Sequence, residues 1–333
     1  QELTRPPLTT TYFRGLGNKS FQEVSDTDID IKHLHWMPGL SAKRLLEDSQ
    51  VPVVWTLHDM NAFTGICHSS FECQKYKENC AACPQTLGIF GEVPPLLLSL
   101  KQSMIANAQK MVVVCPSEWM RSQANQSPIF ENIKIEVIRN PLPTDIYRPY
   151  GGSKPNEFTA PKGKFVVAYM SDRLGAAKGG STAREILREF KSRNPDVVEV
   201  IEIGNEKKEM KPSFVDRCEA PSNDQDMAKL LSGCHVLLNT SLAENFPNLL
   251  IEAQACGVPV ISVDVGGSKE TFIPGLTGKL CKISDFGSAL EFYLSNSEIH
   301  IRHRELAAIR AKREYSLETI GKEYANLYNE LSK

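Results

Sequence analysis

Two carboxylates, Glu244 and Glu252, are separated by seven residues within NTSLAENFPNLLIEAQACGVPVISVDVGG, residues 239–267. The pattern predicts a strand ending near Thr240, a loop carrying Glu244, and a helix with Pro247 in its first turn and Asn245 or Phe246 as its cap. That helix runs to Cys256, where Gly257 and Pro259 stop it. The free N–H groups at such a start, over Asn245, Phe246, Pro247, Asn248 and Leu249, form an anion site that suits a phosphate. A carboxylate in the loop can hold sugar hydroxyls, and one further along the helix can accept from a ribose.

A second group of chemistry-bearing residues follows a candidate strand at 165–170. In SDRLGAAKGG, Arg173 and Lys178 lie five apart in a glycine-rich loop. Two cations there would neutralise a departing diphosphate. Four cysteines, Cys67, Cys73, Cys80 and Cys83, crowd into C-x5-C-x6-C-x2-C, with His68 beside the first. Four thiolates can enclose a tetrahedral Zn²⁺, and a long aperiodic loop needs a staple. Reduced thiols packed in a core, or disulfides in an oxidising compartment, are the other readings. The remaining five of nine cysteines are scattered through apolar segments and read as reduced core residues.

The elements that must position these residues follow from periodicity. Short β-branched runs alternate with longer amphipathic stretches, which argues for parallel sheets flanked by helices. Strands are expected at 30–35, 51–57, 111–115 and 134–138, and again at 165–170, 197–203, 236–239 and 258–263. The intervening RNPLPTDIYRPYGGSKPNEFTAPKGK, residues 139–164, carries five prolines and little periodicity, as a linker would. Residues 295–333 are helical in character. This gives a first domain over 1–145, a linker over 146–163, a second domain over 164–315 and a closing helix over 316–333 that returns to the first domain. In such open sheets, ligands bind at the carboxyl ends of the strands.

Composition narrows the function classes. The chain has 333 residues, 41% hydrophobic and 23% charged, enough for two cores. Lys plus Arg is 38 and Asp plus Glu 40, so a net charge of −2 leaves no footprint for nucleic acid. No apolar run reaches the ~18–20 residues that cross a bilayer. No G-x-G-x-x-G follows a strand, which disfavours a dinucleotide dehydrogenase.

The paired glutamates followed by A-x-A-C-G-x-P-V-I and a Gly-Gly turn resemble the donor site of retaining GT-B glycosyltransferases of family 4, capsule and colanic-acid type. WTLHDMNAFTGICH, LTGKL and the terminal YSLETIGKEYANLY agree with that resemblance, which spans the chain from His33 onward. It implies two Rossmann-like domains facing across a cleft. It implies transfer of a sugar, with retention of configuration, from a nucleotide sugar (UDP- or GDP-linked) to a saccharide or lipid-linked saccharide in bacterial cell-surface polysaccharide synthesis. Glu244 would hold the sugar, Glu252 the ribose, Arg173 and Lys178 the diphosphate, and Gly204 and Asn205 of IEIGNE the base. His58 would serve the reacting centre, tuned by Asp59; His33 and His35 end a strand and are not ligands. No cofactor is required for this chemistry, because fixed cations take the place of a metal, and zinc would only shape the acceptor side. A cytoplasmic protein in peripheral contact with the inner membrane face is implied. Family members open with a further strand, loop and helix, and too few residues precede HLHW here to supply them, so the first domain is expected to be incomplete. A nucleotide-sugar 2-epimerase or phosphorylase on the same fold, and a non-catalytic zinc-stapled binding module, are the competing readings.

Overall fold

A computed structural model describes residues 29–35, 46, 49–86, 91–106, 108, 110–150, 163–171, 176–204 and 211–333. The chain divides into two units, residues 1–139 with 322–333, and residues 140–321.

In the first unit, β1 (Lys32–His35), β2 (Val53–Thr56), β3 (Met111–Cys115) and β4 (Lys134–Val137) form one sheet in that order, every pair parallel. Parallel strands need crossovers, and α1 (Val93–Ala106) and α2 (Glu118–Ala124) supply two of them. Strands β2 and β3 read VVWT and MVVVC and are buried at every position, as central strands covered on both faces must be. Trp55, Phe63, Tyr76 and Phe130 form the aromatic centre of that unit's core. Ser117 starts α2 by accepting the Met120 N–H.

In the second unit, β5 (Phe165–Met170) leads into α3 (Gly180–Arg193), β6 (Val198–Ile203), β7 (Arg217–Glu219) and α4 (Asp224–Ser232). The chain continues through β8 (Val236–Asn239), α5 (Asn248–Ala255), β9 (Val260–Ser262), β10 (Gly278–Leu280), α6 (Phe286–Ser295) and α7 (Ser297–Tyr315). The sheet order is β10-β9-β8-β5-β6-β7, all parallel. Successive residues of β5 alternate between two cores: Val166 and Ala168 pack with Leu237 and Leu250, while Val167 and Tyr169 pack with Leu187 and Phe190. Helices cover both faces, so the unit is doubly wound. Strand order reverses between β5 and β8, and such a switch point is where an open α/β sheet opens a ligand crevice.

Three expectations are adjusted. Strands β7 and β10 escape the periodicity because each is three residues long and carries charge, RCE and GKL. The first stretch of the expected linker belongs to the second unit: Tyr147 is buried in its core, and the Leu142 N–H donates to the Tyr315 carbonyl at 2.7 Å. Part of the rest, residues 151–162, lies outside the described residues. The unit boundary falls at 139/140 rather than 145. The last helix, α8 (Leu317–Leu331), crosses the second boundary, and its residues from 322 on group with the first unit. No helix among the described residues is long and apolar enough to cross a membrane.

Candidate functional site

At the switch point of the second unit, three loops are tied together. The loop after β5 makes a 3-10 turn, Ala176–Lys178, and enters α3 through Gly179. The loop after β8 runs beside it: the Leu242 N–H donates to the Ala177 carbonyl at 2.7 Å, and the Thr240 hydroxyl donates to the Gly179 carbonyl at 2.8 Å. The approach is close enough that Gly179, at φ +67°, would place a Cβ 2.0 Å from the Thr240 oxygen. The loop after β9 closes on the same segment, since a Cβ on Gly266, at φ +55°, would lie 1.6 Å from the Glu244 carbonyl oxygen. Only glycine meets both demands at these positions.

This stitching brings two of the sequence-chosen residues together. Lys178 Nζ donates to Glu244 Oε1 at 2.7 Å, and the Ser241 hydroxyl donates to the same oxygen at 2.8 Å. Glu244 is largely buried while Lys178 keeps about a third of its surface. Both bonds fall on Oε1, so the second carboxylate oxygen is available to a ligand hydroxyl. A carboxylate and an ammonium held at one rim can bind a polyhydroxyl group and a phosphate side by side.

Helix α5 starts at the same rim. Its cap is Pro247, which has no side-chain hydrogen bond to offer, rather than Asn245 or Phe246 as the sequence suggested. Helix φ/ψ therefore begins at Asn248, and the first N–H groups of α5 have no side chain closing over them. The Phe246 side chain packs into the core, 6% exposed and edge-on to Tyr315 at 6.0 Å. The Asn248 amide accepts from Asn140 Nδ2 at 2.7 Å, and Leu249 is half-buried against the core. Glu252 lies one turn into α5, where burial first and the Asp224 charge second push its carboxyl up to about 7. Gly204, at φ +87°, turns the chain out of β6, its N–H donating to the Glu219 carbonyl at 2.7 Å. Arg173 and Asn205 lie outside the described residues.

Sequence reasoning missed the residues that brace this rim. Arg310 of α7, itself buried, donates to the Thr271 carbonyl at 2.6 Å and the Glu270 carbonyl at 2.9 Å, fixing the turn after the two glycines. An arginine on a helix has no local sequence signal for such a role. The Gly-Gly pair was visible, but its partner, the Glu244 carbonyl, was not.

In the first unit, His58 follows β2 and is half-exposed in a polar cluster. One partner is His35, whose Nδ1 lies 3.1 Å from His58 Nε2. The Asp59 carboxylate, expected to tune His58, instead holds His68 Nδ1 at 2.5 Å and accepts the Asn61 N–H at 2.8 Å. Burial first, then His35, lower the pKa of His58, and Asp59 raises it only as the smallest of the three influences.

The zinc expectation is not met by the geometry of the cysteine loop. Among the described residues no group of three or more His, Cys, Asp or Glu side chains is arranged to hold a metal ion, and all nine cysteines are free thiols. Cys67 and Cys80 turn into the interior, where burial raises both thiols, and Cys80 Sγ accepts the Gly65 N–H at 3.3 Å. The segment leading into that loop is held by a lysine: Lys101 of α1, 3% exposed, donates to the carbonyls of Asn61, Thr64 and Gly65 at 2.6, 2.8 and 3.2 Å. All three ammonium protons are thus used by one loop.

Known proteins place this architecture. Residues 153–310 match the family described as Glycosyl transferases group 1. The chain is 24% identical to the colanic acid biosynthesis glycosyl transferase WcaC of Escherichia coli (strain K12), over 90% of this chain and 75% of that protein. Among solved structures, sucrose-phosphate synthase from Thermosynechococcus elongatus superposes with a TM-score of 0.65 at 18% identity, over 91% of this chain and 73% of that one. Anabaena HepE in complex with UDP-glucose does so with 0.58 at 19%, over 85% and 73%. Residues 153–310 are a glycosyl transferases group 1 domain, in a chain of two parallel-sheet α/β units with the GT-B fold.

Proposed function

We propose that this protein transfers a sugar, with retention of configuration, from a nucleoside-diphosphate sugar to a saccharide or lipid-linked saccharide acceptor, in synthesis of a bacterial cell-surface polysaccharide. The observation that carries this reading is the Lys178–Glu244 pair at the sheet's switch point, beside the uncapped start of α5. Leaving-group departure puts negative charge on a diphosphate, and Lys178, Arg173 and the α5 N–H groups are the positive and dipolar groups assigned to it. The free oxygen of Glu244 accepts from a sugar hydroxyl, and Glu252 from the ribose. Gly204 and Asn205 are assigned to the base. With no carboxylate assigned as a nucleophile, the acceptor attacks on the face the diphosphate leaves, and a diphosphate oxygen takes the acceptor's proton. His58 contacts the reacting groups. A solved GT-B structure of HepE holds UDP-glucose, which supports a uridine donor.

A panel of UDP- and GDP-sugars scored by thermal shift and by product formation tests this. One donor is expected to raise the wild-type melting temperature and to yield a glycosylated acceptor with retained anomeric configuration. Lys178→Ala is expected to lose that stabilisation, and Glu244→Ala to lose about 10²–10³-fold in kcat with the fold intact. Protection by no nucleotide sugar, or a donor altered at C2 with no transfer, would overturn the reading.

A further inference from the structure

The histidines at the carboxyl ends of β1 and β2 form a connected set, of which the proposed reaction uses His58 alone. His33 is clamped at both ring nitrogens, Nδ1 to the Tyr328 hydroxyl at 2.5 Å and Nε2 to Thr56 Oγ1 at 2.8 Å. Thr56 Oγ1 is itself 2.9 Å from the Tyr324 hydroxyl. The His35 ring packs on this fixed ring with centroids 4.0 Å apart, and His58 follows, its ring stacked 5.4 Å from that of His35 and bonded to it at 3.1 Å. The parallel register pairs His33 with Val54 and His35 with Thr56, so both β1 histidines point to the edge where β2 delivers His58.

We propose that His35 is a positioning residue for His58, fixing its ring and tying its tautomer to that of His35. A neutral imidazole carries one N–H, so a bond between His35 Nδ1 and His58 Nε2 needs the proton on one ring and a lone pair on the other. Whichever ring donates, the second nitrogen of His58 is then fully specified, as donor or as acceptor. The inference rests on the assignment of His58 to the reacting groups. Among the described residues, the titratable groups near the pair are His33 from β1, whose ring packs on His35, and Asp59 from the loop after β2, with Tyr324 and Tyr328 of α8 reached only through His33. Burial lowers the pKa of all three histidines below the usual 6.5, so the rings are neutral near pH 7.

Nitrogen-15 imidazole spectra of the full chain, for wild type, His35→Ala and His35→Asn, test the pairing. His35 is exposed, so neither substitution empties a core position. In wild type the two His58 nitrogens should give well-separated signals, one protonated and one bare. In His35→Ala they should converge toward a tautomer average, and the His58 pKa should rise toward 6.5 as the ring is less buried and its titrating neighbour is gone. Asn, which keeps an N–H near the position of Nδ1, should restore part of the separation. With a donor and acceptor that wild type turns over, His35→Ala should lose about 10- to 100-fold in kcat, and its acid limb should move to higher pH. Unmoved His58 signals, or an unmoved kcat despite moved signals, would overturn the proposal. Failure of wild type to transfer any sugar would instead sink the glycosyl-transfer reading, and it is seen before any variant is made.

Discussion

Glu252 is a carboxyl that ordinary chemistry would ionise at 4.5 and that its place on α5 holds protonated to about 7. Between those values the folded chain keeps a proton that the unfolded chain has released, so stability falls as pH rises through this window and the loss is complete above it. Glu252→Gln removes the titration. Its melting temperature is expected to be flatter than wild type from pH 5 to 8, and higher by about 2–4 °C at pH 8. Parallel curves for the two proteins in a thermal scan would refute the burial and Asp224 as causes. Glu244, Lys178 and Glu252 were legible in the sequence because spacing, flanking glycines and a following strand agreed. The pairing of His58 was not, because adjacency in the chain pointed to Asp59 while the β1–β2 register delivered His35.

Among the elements, the loop after β9 and the loop after β8 depend on each other through one glycine. Gly266→Ala would combine a left-handed backbone with a Cβ 1.6 Å from the Glu244 oxygen, so the Glu244 loop must move. A loss of about 3 kcal/mol or more is expected in urea unfolding, with activity lost as well. Gly275 is the control, since it has φ +82° but nothing within 4 Å of an added Cβ. Gly275→Ala should cost only the backbone strain, about 1 kcal/mol. Equal losses in the two variants would mean that the contact with Glu244 is yielding rather than rigid. The sequence located this turn and the helix after Glu244 to within a few residues. It misplaced the cap because Asn and Phe before a proline carry the usual signals, whereas Pro247 takes the cap position with no side-chain bond at all.

For the molecule as a whole, the end of the chain completes the first unit. Tyr324 and Tyr328 of α8 bond Thr56 and His33, side chains of β2 and β1, across 268 and 295 residues of sequence. Replacing both by Phe removes two hydroxyls from a largely buried chain of bonds, and a loss of about 1 kcal/mol per bond is expected. Hydrogen exchange should quicken at β1 and β2 amides and stay unchanged through β5 to β10. A uniform change across both units would contradict the assignment of residues 322–333 to the first.

The alternation of short apolar runs with amphipathic stretches determined two parallel-sheet units, and the spacing of Glu244, Glu252 and the glycines singled out the strand ends of the candidate site. Those are local properties, written in periods of 2 and 3.6 residues and in backbone preferences. Tertiary structure alone decided which partners meet. Lys178 reaches Glu244 because strand order reverses between β5 and β8, His35 reaches His58 because two strands share a register, and Lys101 ties the segment that leads into the cysteine loop. Contacts between residues far apart in sequence depend on how sheets order and helices cross, and no local pattern of residues encodes that.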